Sequence, residues 1–510
     1  MIYLTKQNES FYKVDASEKD ELYQLREHFT FFSPTAKNDP KFRRKIWDGK
    51  IRLLNMVSHT IPVGLTSEIQ EFAKSSGIQI HFDPPLPKEE EILSRKESEK
   101  FLKSLKLTKK GSEIFLRDFQ EEAFYQGINR KRTIILSATS SGKTIMMYSL
   151  LRFFLEYFEG RILILVNQVG LVEQIYNDFA EYSAEDENFN IEETCQKIHG
   201  KIVDKKIYNR CVISTWQSLV DNDPKYFEQF EIFMGDEAHN SLAKSLSKIM
   251  NSMVNAEYRL GFTGTEKQAK VHRLQLDALF GPTVRVSRAS ELIDRDLIAK
   301  PHITVNYLRF SEKENKIVNS LSAKNLKEKY REEVNYFSDH EEMRRIISEM
   351  IYADMGNLLV LFTLIEKQGK KYYETLCEIR ERSEIKRDIF YIDGKVKVST
   401  RTEIKENVED GDNIITLASY GTSGEGWSVD RFHALHCVSG YKVDGKTNQA
   451  IGRALRLGHD KKEARINDYI PVCIYDGQEN YLFSHGKNRI LNYINEEFDY
   501  GYRNIKVSTD

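Results

Sequence analysis

Residues Thr133 to Thr144, TIILSATSSGKT, constrain this chain more than any other stretch. A β-branched apolar run stops at Ser137, small residues follow, and Lys143 opens an amphipathic run to Phe154. The change of period predicts strand, loop and helix in that order. A phosphate-binding loop needs this arrangement. Small residues at Thr139, Ser140, Ser141 and Gly142 let backbone N–H groups turn inward around β- and γ-phosphates, and the helix presents its positive N-terminus. Lys143 adds charge, and Thr144 supplies a hydroxyl to Mg²⁺. The loop is a nucleotide cradle, with ATP and Mg²⁺ as the expected ligands.

FEIFMGDEAHN, Phe230 to Asn240, supplies the complementary chemistry. An apolar strand ends in two adjacent carboxylates: Asp236 can hold Mg²⁺, and Glu237 can position and polarise the water that attacks the γ-phosphate. Two acids on a loop also suit a helix N-cap, but here they follow the Gly-Lys-Thr after a succession of apolar strands. RILILVNQVGLVEQI from Arg161 and CVISTWQSL from Cys211 are strands of the kind buried on both faces in parallel sheets. Ligands bind at the carboxyl ends of such strands, which makes Gln168, Thr215 and Gln217 candidates to touch nucleic acid, against an alternative of helix capping. Upstream, LRDFQEEAF offers Gln120 to pair with the edge of adenine and Arg117 or Phe119 to stack on the ring, against an alternative of an ordinary helix start. Downstream, RLGFTGT ends a strand in Thr263 and Thr265, placed to sense the γ-phosphate.

At 510 residues the chain exceeds one core. Lys plus Arg at 75 nearly balances Asp plus Glu at 77, so any nucleic-acid footprint is local. One such concentration occurs: Lys37, Lys41, Arg43, Arg44, Lys45, Lys50 and Arg52 gather around Phe42 and Trp47 in a small α/β region. Cations for phosphates with an aromatic for stacking compose a nucleic-acid surface, although a solvated face with Trp47 in the core has the same composition. We single out Lys41, Arg43, Arg44, Lys45 and Trp47. Pro84, Pro85 and Pro87 before a charged run mark a linker. Five scattered cysteines without a CxxC pair suggest a reduced protein with neither zinc site nor disulfide framework, and His433, His436 and Cys437 are expected to pack rather than ligate. The N-terminal MIYLTKQNES lacks a charged region followed by an apolar run, and no 18-residue apolar stretch occurs, so neither export nor a membrane span is expected.

The second half repeats the strand–helix alternation, with strands expected at Asn357, Asp388, Asn413, Ala434 and Tyr469 and a hinge at Pro301. Residues 311–341 are polar at helical spacing, expected to be a peripheral insertion. A Gly-rich loop containing Gly426 suits close approach to a phosphate backbone or a nucleotide sugar. QAIGRALR, Gln449 to Arg456, puts Arg453 and Arg456 one helical turn apart, where across a cleft they can neutralise a transferring phosphoryl group.

The order RDFQ, GKT, LVEQ, STWQSL, DEAH, TGT resembles the superfamily 2 helicases. That resemblance implies that His239 couples the nucleotide to the Thr263–Thr265 segment and that Gln449, Arg453 and Arg456 form the arginine-finger segment. The chain departs from the common pattern at Ser137, Ser140, Asn167, Gly264 and Ser428. PKFRRKIWDGKIRLLN at Pro40 and the basic–aromatic tail at Lys487–Lys506 resemble, more narrowly, the phage UvsW-type recombination and repair helicases. The expected fold is α/β: a small nucleic-acid-binding domain at 1–100, then two tandem RecA-like parallel-sheet domains at 101–300 and 301–510. The resemblance implies an ATP-dependent DNA helicase tracking 3′ to 5′ on junctions, forks and R-loops. Its expected partners are single-stranded and branched DNA, RNA–DNA hybrids, and recombination or single-strand-binding proteins. A monomer is expected, and the scattered cysteines point to the cytoplasm, the host's if phage-encoded. Alternative activities are an RNA helicase, a double-stranded DNA translocase, or an ATP-gated binding or annealing protein.

Overall fold

The apolar runs become the inner strands of two parallel sheets in the computed structural model, which describes residues 1–87, 91–200, 205–240, 244–264, 270–321, 325–423, 429–439, 451–452, 456 and 461–507. The chain divides into two units, Met1–Ser137 with Gly142–Ser287, and Ala138–Ser141 with Arg288–Asp510.

The first unit begins with β1 (Ile2–Lys6), β2 (Phe11–Ala16), β3 (Thr30–Phe32), β4 (Lys50–Arg52), β5 (Thr60–Pro62) and β6 (Ile80–Asp83). Four of these form a sheet in the order β5-β2-β1-β6, while β3 and β4 pair separately as an antiparallel ribbon. In β1 the side chains alternate, with Ile2 and Leu4 buried and Tyr3 and Thr5 outward, as a one-sided sheet requires. Helices Lys19–His28 and Thr66–Ser76 cover the apolar face with Leu25, Ile69 and Phe72. Gly77 ends the second helix at φ 71°, a left-handed cap that favours glycine.

The motor sheet of this unit contains β7 (Arg132–Leu136), β8 (Arg161–Val166), β9 (Cys195–Ile198), β10 (Cys211–Thr215), β11 (Phe230–Asp236), β12 (Tyr258–Thr263) and β13 (Thr283–Arg285). Their order is β9-β10-β8-β11-β12-β7-β13, parallel throughout. Every residue of β10 and β12 is buried, the consequence of helices on both faces. The register sets Leu136 beside Thr263, Asp236 beside Phe262 and Val166 beside Thr215, so the loops that follow these strands share one edge.

The N-terminal module meets the opposite edge. Arg259, near the start of β12, donates to Ser10 Oγ at 2.7 Å; Arg132, the first residue of β7, lies 3.2 Å from Glu9 Oε2. A second seam forms where Gly64 abuts helix Lys270–Phe280, whose Leu274 and Ala278 enter the module's core. A Cβ at Gly64 would sit 2.1 Å from the Asp277 carbonyl oxygen, so only glycine permits this approach.

The second unit holds β14 (Lys300–Arg309), β15 (Leu358–Phe362), β16 (Ile389–Ile392), β17 (Ile415–Ser419), β18 (Ala434–Cys437), β19 (Glu463–Val472) and β20 (Tyr500–Lys506). Their order is β16-β17-β15-β18-β19-β14-β20, again parallel. Two expectations need correction here. Pro301 is no hinge but the second residue of β14, beside Ala464; β20 begins to pair only at Ile303, so the missing N–H leaves no ladder bond unmade. Residues 311–341 are not peripheral. They form helices Glu312–Asn319 and Leu326–Asp339, whose Val318 and Phe337 enter the core with Leu308. Glu333, fully buried, accepts the N–H groups of Tyr481 at 2.7 Å and Leu482 at 3.3 Å. His436 is buried on β18, its Nδ1 3.0 Å from the Tyr469 hydroxyl and its Nε2 3.1 Å from Asp354 Oδ2. Among the described residues no helix is long and apolar enough to cross a membrane.

Candidate nucleotide site and nucleic-acid surfaces

The candidate phosphate loop follows β7, in the order its sequence predicts. Ser137, fully buried, shares a hydrogen bond of 2.8 Å with Ser287 Oγ and donates its N–H to the Thr263 carbonyl at 3.0 Å. Ser287 lies 150 residues away, and no local signal pointed to it. Ser140 and Gly142 both take positive φ, 68° and 85°, so the loop turns through two left-handed residues before helix Lys143–Tyr157 begins. Ser140 accepts this conformation where glycine is usual, at a cost on the order of 1 kcal/mol. Lys143 and Thr144 occupy the first turn, where helix N–H groups lack intrahelical acceptors.

Gln120 is buried against this loop. Its Oε1 accepts the Arg117 N–H at 2.9 Å, and its Nε2 faces Gly142, where an added Cβ would lie 2.7 Å away. Arg117 is the N-cap residue of helix Asp118–Arg130.

Asp236 closes β11 and Glu237 follows at φ 49°. Burial and the neighbouring Glu237 charge push the Asp236 carboxyl up to about 6, against the pull of Lys143 and His239. Lys143 therefore lies within the field of the acidic pair, although 93 residues separate the motifs. The pair remains short of positive charge even so. Oxygen donors in that state fit a hard dication such as Mg²⁺, with Asp236 and Thr144 as the residues that would hold it.

His239 is buried, its Nδ1 3.2 Å from Glu237 Oε2 and 2.9 Å from Thr263 Oγ1. One imidazole thus touches both the acidic loop and the end of the next strand. Thr265, Gly426, Gln449 and Arg453 lie outside the described residues. Arg456 is described, with Nη1 3.4 Å from Asp430 Oδ1.

The nucleic-acid candidates divide. Gln217 is exposed and donates to the Asn167 carbonyl at 2.9 Å, which brings it to Gln168 at the ends of the adjacent strands β8 and β10. Gln168 Oε1 is buried with no hydrogen-bond partner among the described residues. Thr215 is buried at the N-cap of the short helix Trp216–Leu219, and its hydroxyl is engaged with Ser218 Oγ at 2.7 Å rather than with the helix backbone. In the N-terminal module Lys41, Arg43, Arg44 and Lys45 are exposed on the segment between β3 and β4. Lys37, Phe42, Arg43, Lys45, Trp47 and Asp48 line an open groove. Trp47 is half-buried and fixed by its Nε1 donating to the Lys50 carbonyl at 2.9 Å.

Comparison with known proteins follows the same division. Residues 2–83 match the family described as DNA helicase UvsW, N-terminal, and residues 113–268 match the Type III restriction enzyme, res subunit, family. The ATP-dependent DNA helicase uvsW of Enterobacteria phage T4 is 28% identical over 514 residues, with 98% of each chain covered. The crystal structure of T4 UvsW aligns with a TM-score of 0.51 at 26% identity, covering 99% of this chain and all of that one. A DNA-bound Type ISP restriction-modification enzyme, LlaBIII, aligns with a TM-score of 0.57 at 16% identity over 79% of this chain and 32% of that one, a likeness of fold.

Proposed function

Because this chain belongs to the UvsW-type helicases, we propose that it hydrolyses ATP to move along and unwind DNA. Its substrates in this reading are branched molecules, namely junctions, forks and R-loops, in recombination, repair and replication restart within the host cytoplasm. The observation that carries the proposal is the meeting of Lys143, the Asp236–Glu237 pair and the His239–Thr263 contact along one edge of the motor sheet.

In this reading the loop Thr139–Thr144 holds the phosphates through its backbone and Lys143, while Arg117 and Gln120 face the base. Mg²⁺, when bound, supplies positive charge to the β- and γ-phosphate oxygens. Glu237 orients the attacking water, and His239 passes the change at Glu237 to Thr263. Gln449, Arg453, Arg456 and Gly426 keep the roles implied by their motifs. Gln168 and Gln217 contact a DNA strand, and the basic groove around Trp47 adds grip on phosphates.

The test is ATP turnover measured without nucleic acid, with single-stranded DNA, with a labelled four-way junction and with RNA, alongside strand displacement. DNA should stimulate turnover and the junction should lose a strand only with ATP. Stimulation by DNA without displacement would replace unwinding by translocation or gated binding, and stimulation by RNA alone would replace the substrate.

A further inference from the structure

The outer edge of the second sheet carries an aromatic surface that the motor chemistry does not use. Parallel pairing of β14 with β20 puts Tyr307 and Arg309 on the same face as Tyr500 and Tyr502. Tyr307 lies at the centre: its ring centroid is 6.1 Å from that of Tyr502 and 6.1 Å from that of Phe483, on helix Tyr481–Asn495. Cations border the same row. Arg309 stands over the Tyr307 ring at 5.5 Å, and Lys487 over the Phe483 ring at 5.0 Å. Arg309 is held there by its Nε donating to Asn504 Oδ1 at 2.8 Å, while Lys487 is paired with Glu479.

Tyr502 is 70% exposed and Tyr500 37% exposed at the sheet's last strand. Large aromatics left open to water beside fixed guanidinium and ammonium groups match a chain of flat, anionic units. Bases can stack on the rings while the cations meet phosphates, and stacking needs base faces that a duplex keeps hidden. A protein segment adding to the β20 edge would use backbone groups and would need neither ring nor cation.

We propose that Tyr502, Tyr307 and Phe483, flanked by Arg309 and Lys487, form a stacking platform for single-stranded nucleic acid on the edge of the second sheet. The platform rests on the reading that this chain acts on DNA, and through it the basic–aromatic tail holds one strand after separation. Tyr502 is the anchor because its ring is the most open.

The test uses the full chain without ATP and an oligothymidylate carrying one 5-iododeoxyuridine. After irradiation, the tryptic peptide Ile490–Arg503 should carry an adduct. Tyr502→Ala should abolish that adduct and weaken oligonucleotide binding at least about fivefold, and Tyr502→Phe should restore both. An adduct map without this peptide, or parental affinity in Tyr502→Ala, overturns the platform. Junction-dependent ATP turnover, measured separately, reports on the motor, so failure of one reading is not mistaken for failure of the other.

Discussion

His239 Nδ1 lies 2.9 Å from Thr263 Oγ1, which ties the end of β12 to the loop that bears Asp236 and Glu237. Both groups are buried, so this side-chain link from the acidic loop to the end of the next strand is shielded from water. His239→Ala should leave ATP binding intact and cut strand displacement per ATP consumed about tenfold, the size of an ordinary coupling energy. Parallel turnover and displacement assays check this. A proportional fall in both would assign the bond to structure alone.

Glu237→Gln keeps the shape and hydrogen-bonding reach of the side chain but removes its basicity. Turnover should fall about 10²- to 10⁴-fold while ATP affinity changes little. Single-turnover hydrolysis with a separate binding titration distinguishes the two. Weak binding with normal turnover would exchange the roles given to Asp236 and Glu237.

Asp277 sits at the seam between the N-terminal module and the motor sheet, 3% exposed and with Oδ1 unbonded among the described residues. Burial and Glu68 raise its carboxyl from 3.8 to about 7, while Arg273 opposes the shift. A raised carboxyl penalises the charged, folded form, so stability falls as pH climbs from about 4 to about 7 and the whole cost is present at pH 8. Asp277→Asn should therefore raise the thermal midpoint by a few degrees at pH 8 and converge on the parent near pH 4. An equal gain at both pH values would contradict this account.

The groove around Trp47 makes a different kind of statement, about salt. Replacing Arg44, Lys45 and Trp47 together by alanine should weaken DNA binding and flatten the slope of log affinity against log salt by about 2, the share of two phosphate contacts. An unchanged slope would return these residues to a solvated face.

The strands were legible because burial on both faces leaves an unbroken apolar run, as in ILILV at Ile162–Val166 and LLVLF at Leu358–Phe362. The acidic pair was legible because it ends such a run. Less could be read where a few apolar residues are diluted by charge: Val318 and Phe337 enter the second core from helices that are polar on their other faces. Proline misled at Pro301 because strand order, not sequence, decides whether its missing N–H has a partner. Partnerships across the chain, such as Ser137 with Ser287 or Gly64 with Asp277, leave no local periodicity to detect. Thr215 illustrates the converse: a hydroxyl at a strand end suits either a ligand or a cap, and here it meets Ser218.

The central claim is that the loop after β7 is a nucleotide cradle whose lysine serves hydrolysis rather than folding. Lys143 is partly exposed at the first turn of its helix, so Lys143→Ala should preserve the thermal midpoint and junction binding. DNA-stimulated ATP turnover in that variant is the direct measurement. The account predicts a loss of at least about 10²-fold; turnover within a few-fold of the parent would contradict it.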